Sequence, residues 1–235
     1  MGPLPDGRRA TSRERTKEPE MPIVTISRQY GAGGSSVAAL VAADIGAEVV
    51  DKKLIEEVAT RLSIRPSDVE AEAERPRSLL DRLVRSLSSL EPSMGAGWTP
   101  PYSDPLYDPR KSIIKLTEQI VREVAQNGNV VIVGRGAGFV LRDRPGVFRA
   151  FLRAPEDIRV HRLMDRLTLA EPQTRRKMHE TDSNRAAYIR QLYGRDWCDP
   201  DEYDLVVNTG RVSYAAAADM ILRGVREPVP VISAG

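Results

Sequence analysis

Four residues, Gly31-Ala32-Gly33-Gly34, sit between an apolar β-branched run and an alanine-rich helical pattern, and they constrain the fold more than any other stretch. Ile23 to Ser27 (IVTIS) reads as a buried strand. Ser35 to Ile45 places Val37, Leu40, Val41 and Ile45 at helical spacing, and Gly46 stops it. Glycines between a strand and a helix let the backbone turn tightly and aim successive N–H groups at an anion. The helix that follows offers its free N–H groups and positive dipole end to the same anion. The segment 27–36 is therefore a candidate phosphate-binding loop, with Gly31, Ala32, Gly33, Gly34, Ser35 and Ser36 as its phosphate contacts. Ser35 or Ser36 is placed to cap the helix or to reach a phosphate or a magnesium ion, and Ser35 is the candidate metal ligand. Against the pattern G-x-x-x-x-G-K-[ST], Gly33 and Ser35 fit, Arg28 replaces the first glycine and Gly34 replaces the lysine. On the motif alone, a turn with no ligand stays an open alternative.

The rest of the chain alternates in the same way. Ala47 to Val50 reads as a strand and Lys52 to Leu62 as a helix. Arg65 to Leu90 is an amphipathic helical pattern. Segment 91–110 is too rich in proline for a helix or strand to run through it, and it carries Trp98, Tyr102 and Tyr107, which stack on a base or on one another. Helical period returns over Lys111 to Gln126. Asn129 to Val133 (NVVIV) is the clearest buried strand, followed at once by Gly134-Arg135-Gly136. Val147 to Leu152 is a strand, Pro155 to Leu167 and Pro172 to Leu192 are helices, Leu205 to Val207 is a short strand and Tyr214 to Arg223 the last helix. Alternation of this kind predicts a parallel sheet of about five strands with helices on both faces. Ligands of such sheets bind beyond the carboxyl ends of the strands, so the loops after Ser27, Val50 and Val133 should share one rim.

A chain of 235 residues suits one large domain or two small ones. Residues 1–20 have almost no large apolar side chain and read as a tail ahead of the domain at 21–235, or as an over-long start with Met21 the natural beginning. The net charge of +2 gives no reason to expect a nucleic acid, and no apolar run is long enough to span a membrane. A single cysteine, Cys198, forbids an internal disulfide and fits a reducing, cytoplasmic setting. His161 and His179 lie in polar helices with no metal-ligand spacing and read as surface residues. Asp199 and Asp201, split by Pro200, read as a turn.

Four segments in order resemble the cytidylate kinase-like family, a branch of the P-loop nucleoside monophosphate kinases. They are Ile26 to Gly34 (ISRQYGAGG), Val49 to Ile55 (VVDKKLI), Val131 to Ala137 (VIVGRGA), and the late stretch running from Asp182 and Arg185 through Tyr193 to Trp197 (YGRDW) and Val206 to Thr209 (VVNT). The resemblance covers roughly residues 22–225. It implies a three-layer P-loop kinase fold, with an acceptor-binding insert at about 52–112 and a helical lid at about 165–200. It implies ATP and Mg²⁺ as cofactors and transfer of the γ-phosphoryl group to CMP, dCMP or another small acceptor. Asp51, Arg135, Asp182 and Arg190 become candidate acceptor contacts, and Arg28, Arg135 and Arg185 candidate catalytic cations. Cytidylate kinases carry a lysine where Gly34 stands and an aspartate where Gly136 stands. The branch lacks the loop lysine and has Ser-Arg-Gln ahead of its glycines, as here in Ser27-Arg28-Gln29. A nucleotide-binding sensor that no longer transfers phosphate is the alternative function.

Without the lysine another cation is needed at the phosphates, and Arg28 leaves the first strand at the ligand rim with a fork suited to phosphate. A salt bridge from Arg28 to Asp51 is the structural alternative. Arg135 follows an apolar strand directly, so it binds an anion or pairs with a carboxylate. Arg185 and Arg190 are the lid candidates, whereas Arg175, Arg176 and Lys177 read as solvated.

Overall fold

A computed structural model describes residues 21–62, 65–67 and 109–227. The expected tail, most of the helical pattern after Arg65, the three aromatic residues of segment 91–110 and most of the acceptor-binding insert lie outside these residues.

Five parallel strands form one sheet in the order β2-β3-β1-β4-β5. They are β1 (Ile23–Arg28), β2 (Glu48–Val50), β3 (Val130–Val133), β4 (Val147–Arg153) and β5 (Leu205–Asn208). Seven α-helices accompany them among the described residues: α1 (Gly34–Ile45), α2 (Lys52–Leu62), α3 (Pro109–Gln126), α4 (Ala137–Val140), α5 (Glu156–Leu167), α6 (Glu171–Tyr193) and α7 (Tyr214–Arg226). Strand β1 pairs with β3 on one side and β4 on the other, so the phosphate-loop strand is central. Being covered on both faces, β1 and β3 need apolar residues on both, which is why β3 reads as an unbroken apolar run and β1 as one broken only by the small buried hydroxyls of Thr25 and Ser27 before Arg28.

Two cores result. On one face, Val37 and Val41 of α1 and Ile221 of α7 pack on Val24, Val131 and Leu152. On the other, Leu54 and Val58 of α2 and Ile113, Ile120 and Val121 of α3 pack on Ile23, Val130 and Ile132. A smaller aromatic cluster of Phe139, Phe151, Trp197 and Tyr203 sits behind the end of α6.

Two local expectations change, and one short helix was not foreseen. Helix α3 starts at Pro109, inside the segment read as irregular; proline at a first helical position gives up no hydrogen bond. The four-residue α4 is too short to show a period. The N-cap of α1 is Gly33, with no side-chain cap, so neither Ser35 nor Ser36 caps the helix. Asp199 caps a short 3₁₀ turn over Pro200–Glu202 by accepting from the Asp201 amide, as a plain turn requires.

Candidate functional site

The strand ends and helix starts meet around a cleft of about 860 Å³ at the carboxyl edge of the sheet. The loop after β1, Asp51 after β2 and Gly134-Arg135-Gly136 after β3 all line it, so the predicted common rim is present. Helices α5 and α6 close the opposite side with Arg166, Asn184, Arg185 and Tyr188.

Of the sequence candidates, Arg28, Gly31, Gly33, Gly34, Ser35, Ser36, Asp51, Arg135 and Arg185 line the cleft. Ala32, Asp182 and Arg190 are not among the residues that line it. Ala32 is buried, and its amide donates to the Gln29 carbonyl at 3.1 Å. Arg190 is exposed on α6. Asp182 accepts from the Tyr30 amide at 2.8 Å and from the buried Arg159 guanidinium, tying α6 to the phosphate loop and to α5.

The first turn of α1 is open to the cleft. Gly33 takes φ +82° and its carbonyl accepts from Val37, so the helix starts at the loop itself. The amides of Gly34, Ser35 and Ser36 are first-turn donors with no partner inside the helix. The loop carbonyls are fastened from behind: the Thr209 hydroxyl donates to Ala32 O at 2.9 Å, and Arg162 donates to Thr209 O at 2.8 Å.

Arg28 occupies the room beside the two glycines that depart from lysine-type loops. A Cβ on Gly34 would lie 2.6 Å from Arg28 Cγ, and a Cβ on Gly134 would collide with Arg28 Nη1. The side chain therefore crosses Gly34 and ends over the loop after β3. Its Nη2 is 3.7 Å from Asp51 Oδ1, and Ser35 Oγ donates to Asp51 Oδ2 at 3.0 Å. The Arg28–Asp51 pair weighed from the sequence is thus formed, with the guanidinium on the floor of the cleft. Ser35 Oγ and the Asp51 carboxylate are adjacent hard oxygens of the kind Mg²⁺ takes, so the donors present fit that ion.

Gly136 is filled as well. A Cβ there would stand 3.2 Å from the Tyr193 ring and 3.3 Å from Tyr188. Gly134, Arg135 and Gly136 take φ of +73°, +56° and +68° in succession. A non-glycine residue in that region is uncommon, so Arg135 is held at the rim in a conformation that its own side chain disfavours.

Sequence reasoning assigned no role to Tyr30 or Arg166. The Arg166 guanidinium lies 5.0 Å from the Tyr30 ring centroid and that of Arg185 lies 5.6 Å from it. The signal was in the basic run from Arg162 onward, but spacing alone does not say which arginines face the loop. His161 and His179 are exposed, and no cluster of metal ligands occurs among the described residues. Cys198 is exposed as a residue, but partial desolvation of its thiol, with Asp196 adding to it, raises its pKa. No helix among the described residues is long and apolar enough to cross a membrane.

The sequence model described as cytidylate kinase-like family matches residues 23–211. A cytidylate kinase from Pyrococcus horikoshii is 32% identical over 114 residues, covering 48% of this chain and 58% of that one. The chain thus spans little more than half the length of that curated relative. A solved structure of an uncharacterized protein from Eubacterium ventriosum superposes with a TM-score of 0.63 at 23% identity, covering 88% of this chain and 99% of the other. A shikimate kinase from Bacteroides thetaiotaomicron superposes with a TM-score of 0.52 at 12% identity over 88% of this chain and 99% of its own, which shows a shared fold.

Proposed function

The chain belongs to the cytidylate kinase-like family, and on that premise we propose that it is an ATP-dependent phosphotransferase acting on a nucleoside monophosphate of the CMP or dCMP kind. The observation that carries this reading is Arg28, whose side chain fills the room beside Gly34 and extends to Gly134. A loop that had simply lost its lysine would have empty space there. Instead a permanently charged fork lies between the loop that would hold the donor and the loop that would hold the acceptor.

In this reading the amides of Gly34, Ser35 and Ser36 and the positive end of α1 hold the donor's phosphates. Arg135 holds the acceptor phosphate, and its backbone conformation keeps it on the rim. An oxygen of that phosphate bonds to the γ-phosphorus while the bond from the γ-phosphorus to its bridging oxygen breaks, and the electron pair leaves with ADP. Arg28 and Arg185 offset the charge spread over the transferring group. Ser35 Oγ and the Asp51 carboxylate are the groups that would hold Mg²⁺, which supplies further charge neutralisation when bound.

The test is ATP turnover with Mg²⁺ against nucleoside monophosphates and nucleosides, with ATP affinity by calorimetry. Arg28→Ala is expected to lower turnover on the order of 10²–10³-fold, as the loss of a well-placed electrostatic donor does. Unchanged turnover and unchanged ATP affinity in that variant would sink the role of Arg28. The Arg28–Asp51 pair favours a second reading, a nucleotide sensor without transfer, because it already occupies the cation. ATP binding with no acceptor phosphorylated supports that second reading.

A further inference from the structure

We infer that Tyr30 is the positioning residue that holds Arg166 and Arg185 over the phosphate loop, an inference that rests on the phosphotransferase reading above. The two arginines come from different helices, α5 and α6, and their guanidiniums lie 5.0 Å and 5.6 Å from the same ring centroid. All three residues line the cleft beside Gly31 and Gly33. Two like charges repel when brought to one place in an unliganded protein. The negative face of an aromatic ring offsets that repulsion and gives each cation a fixed seat.

The seat itself is rigid. The Tyr30 amide donates to Asp182 Oδ1 at 2.8 Å, and its carbonyl accepts from Arg159 Nη1 at 3.2 Å. Both of those partners are held in turn, since Arg159 also donates through Nε to Ala154 O at 3.0 Å and pairs with Asp182. Arg185 has further anchors, donating to the Arg28 carbonyl at 2.9 Å and standing 3.9 Å from Asp182. The Arg166 side chain makes no ion pair or hydrogen bond among the described residues, so the Tyr30 ring is what holds it. The Tyr30 hydroxyl likewise makes no hydrogen bond among the described residues, so the ring face does the holding and the phenol oxygen is dispensable. An incoming polyphosphate would meet both guanidiniums already placed, with less side-chain entropy left to lose on binding.

The experiment uses the full chain with Mg²⁺ and two probes, ATP and inorganic tripolyphosphate, titrated by calorimetry. Tyr30→Leu is expected to weaken both by about 3- to 10-fold, the range expected of one or two partly exposed cation–π contacts. Tyr30→Phe is expected to bind like the wild type. In an Arg166→Ala background the effect of Tyr30→Leu is expected to shrink, because the ring then seats one arginine. A Tyr30→Leu variant that folds and binds both probes normally overturns the inference, as does a Tyr30→Leu loss of equal size with and without Arg166. If the wild type binds neither probe, the phosphotransferase reading fails and the clamp is judged by NMR. Upfield ring-current shifts on the Arg166 δ-protons should then be present in the wild type and Tyr30→Phe and absent in Tyr30→Leu. Arg166 δ-protons at ordinary positions in the wild type overturn the clamp.

Discussion

Arg28 and Gly34 act as one unit, because the guanidinium can cross the loop only where position 34 has no side chain. Their coupling makes a prediction that runs against simple motif repair. Gly34→Lys puts a Cβ 2.6 Å from Arg28 Cγ and 3.1 Å from Arg28 Cβ, so Arg28 must leave its seat. Overpacking of this kind costs about 1–3 kcal/mol, and the displaced cation is lost to the phosphates as well. Gly34→Lys alone is expected to lower turnover by about tenfold or more, and Arg28→Ala with Gly34→Lys to recover part of it. A rise in turnover for the single variant would mean that the lysine is missed and Arg28 is no substitute. Gly136 makes a parallel case for stability. Its φ of +68° would strain any side chain, and the Tyr193 and Tyr188 rings at 3.2 Å and 3.3 Å would have to give way by a few tenths of an ångström for a Cβ. Gly136→Ala is expected to cost about 1–2 kcal/mol, read as a fall in the thermal midpoint of about 2–8 °C. Read along the chain, Gly136 is only a missing aspartate. What fills its place comes from the far end of α6, which no local pattern around residue 136 can announce.

At the scale of elements, α6 is fastened where a swinging lid would be loose. Asp182 joins it to the Tyr30 amide and to Arg159, whose exposure is 6%. Arg185 joins it to the end of β1. At its start, Arg175 reaches Glu156, Asp157 and Glu171, each at 2.8 Å. Asp182→Ala removes the partner of a buried arginine and is expected to cost about 3–5 kcal/mol in urea unfolding. Little change in stability with weaker acceptor binding would instead return Asp182 to the acceptor contacts implied by family resemblance. The strands were legible because both faces of a central strand are covered and so mostly apolar, as in Val130 to Val133 and in Ile23 to Ile26, where only Thr25 breaks the run. The facing of α6 was not, because polar residues run around most of that helix and give no apolar stripe. Asn184, Arg185 and Tyr188 turn to the cleft while Arg190 does not, and only the packing of α6 on α5 decides that. The same holds for Arg166, which enters the site from the last turn of α5.

Across the whole molecule, the parallel sheet brings every candidate loop to one rim, and the aromatic cluster behind it carries two phenols, Tyr203 buried and Tyr193 half-buried. The Tyr193 hydroxyl donates to Glu118 Oε1 at 2.9 Å and so joins the end of α6 to α3. The Tyr203 hydroxyl donates to the Trp197 carbonyl at 2.7 Å. Burial is the main cause that pushes both phenols above the ordinary tyrosine range, with Tyr188 and Glu118 adding to it at Tyr193. In the unfolded chain each would ionise near pH 10. Between that pH and their higher folded values, the unfolded state binds fewer protons than the folded one, so stability falls as pH rises. Below about pH 10 the contribution is complete. Above it, each tyrosine subtracts about 1.4 kcal/mol per pH unit, or about 2.7 for the pair. Urea midpoints taken from pH 8 to pH 11.5 should therefore be level as far as these two groups act, then drop steeply above about pH 10. Tyr203→Phe should remove about half of the pair's share of that slope, whatever its own cost at neutral pH. An alkaline slope identical in wild type and Tyr203→Phe would mean that the phenol ionises as readily in the fold as in water. The cluster would then be open to solvent around Tyr203, and its hydrogen bond to the Trp197 carbonyl would be looser than its 2.7 Å length indicates.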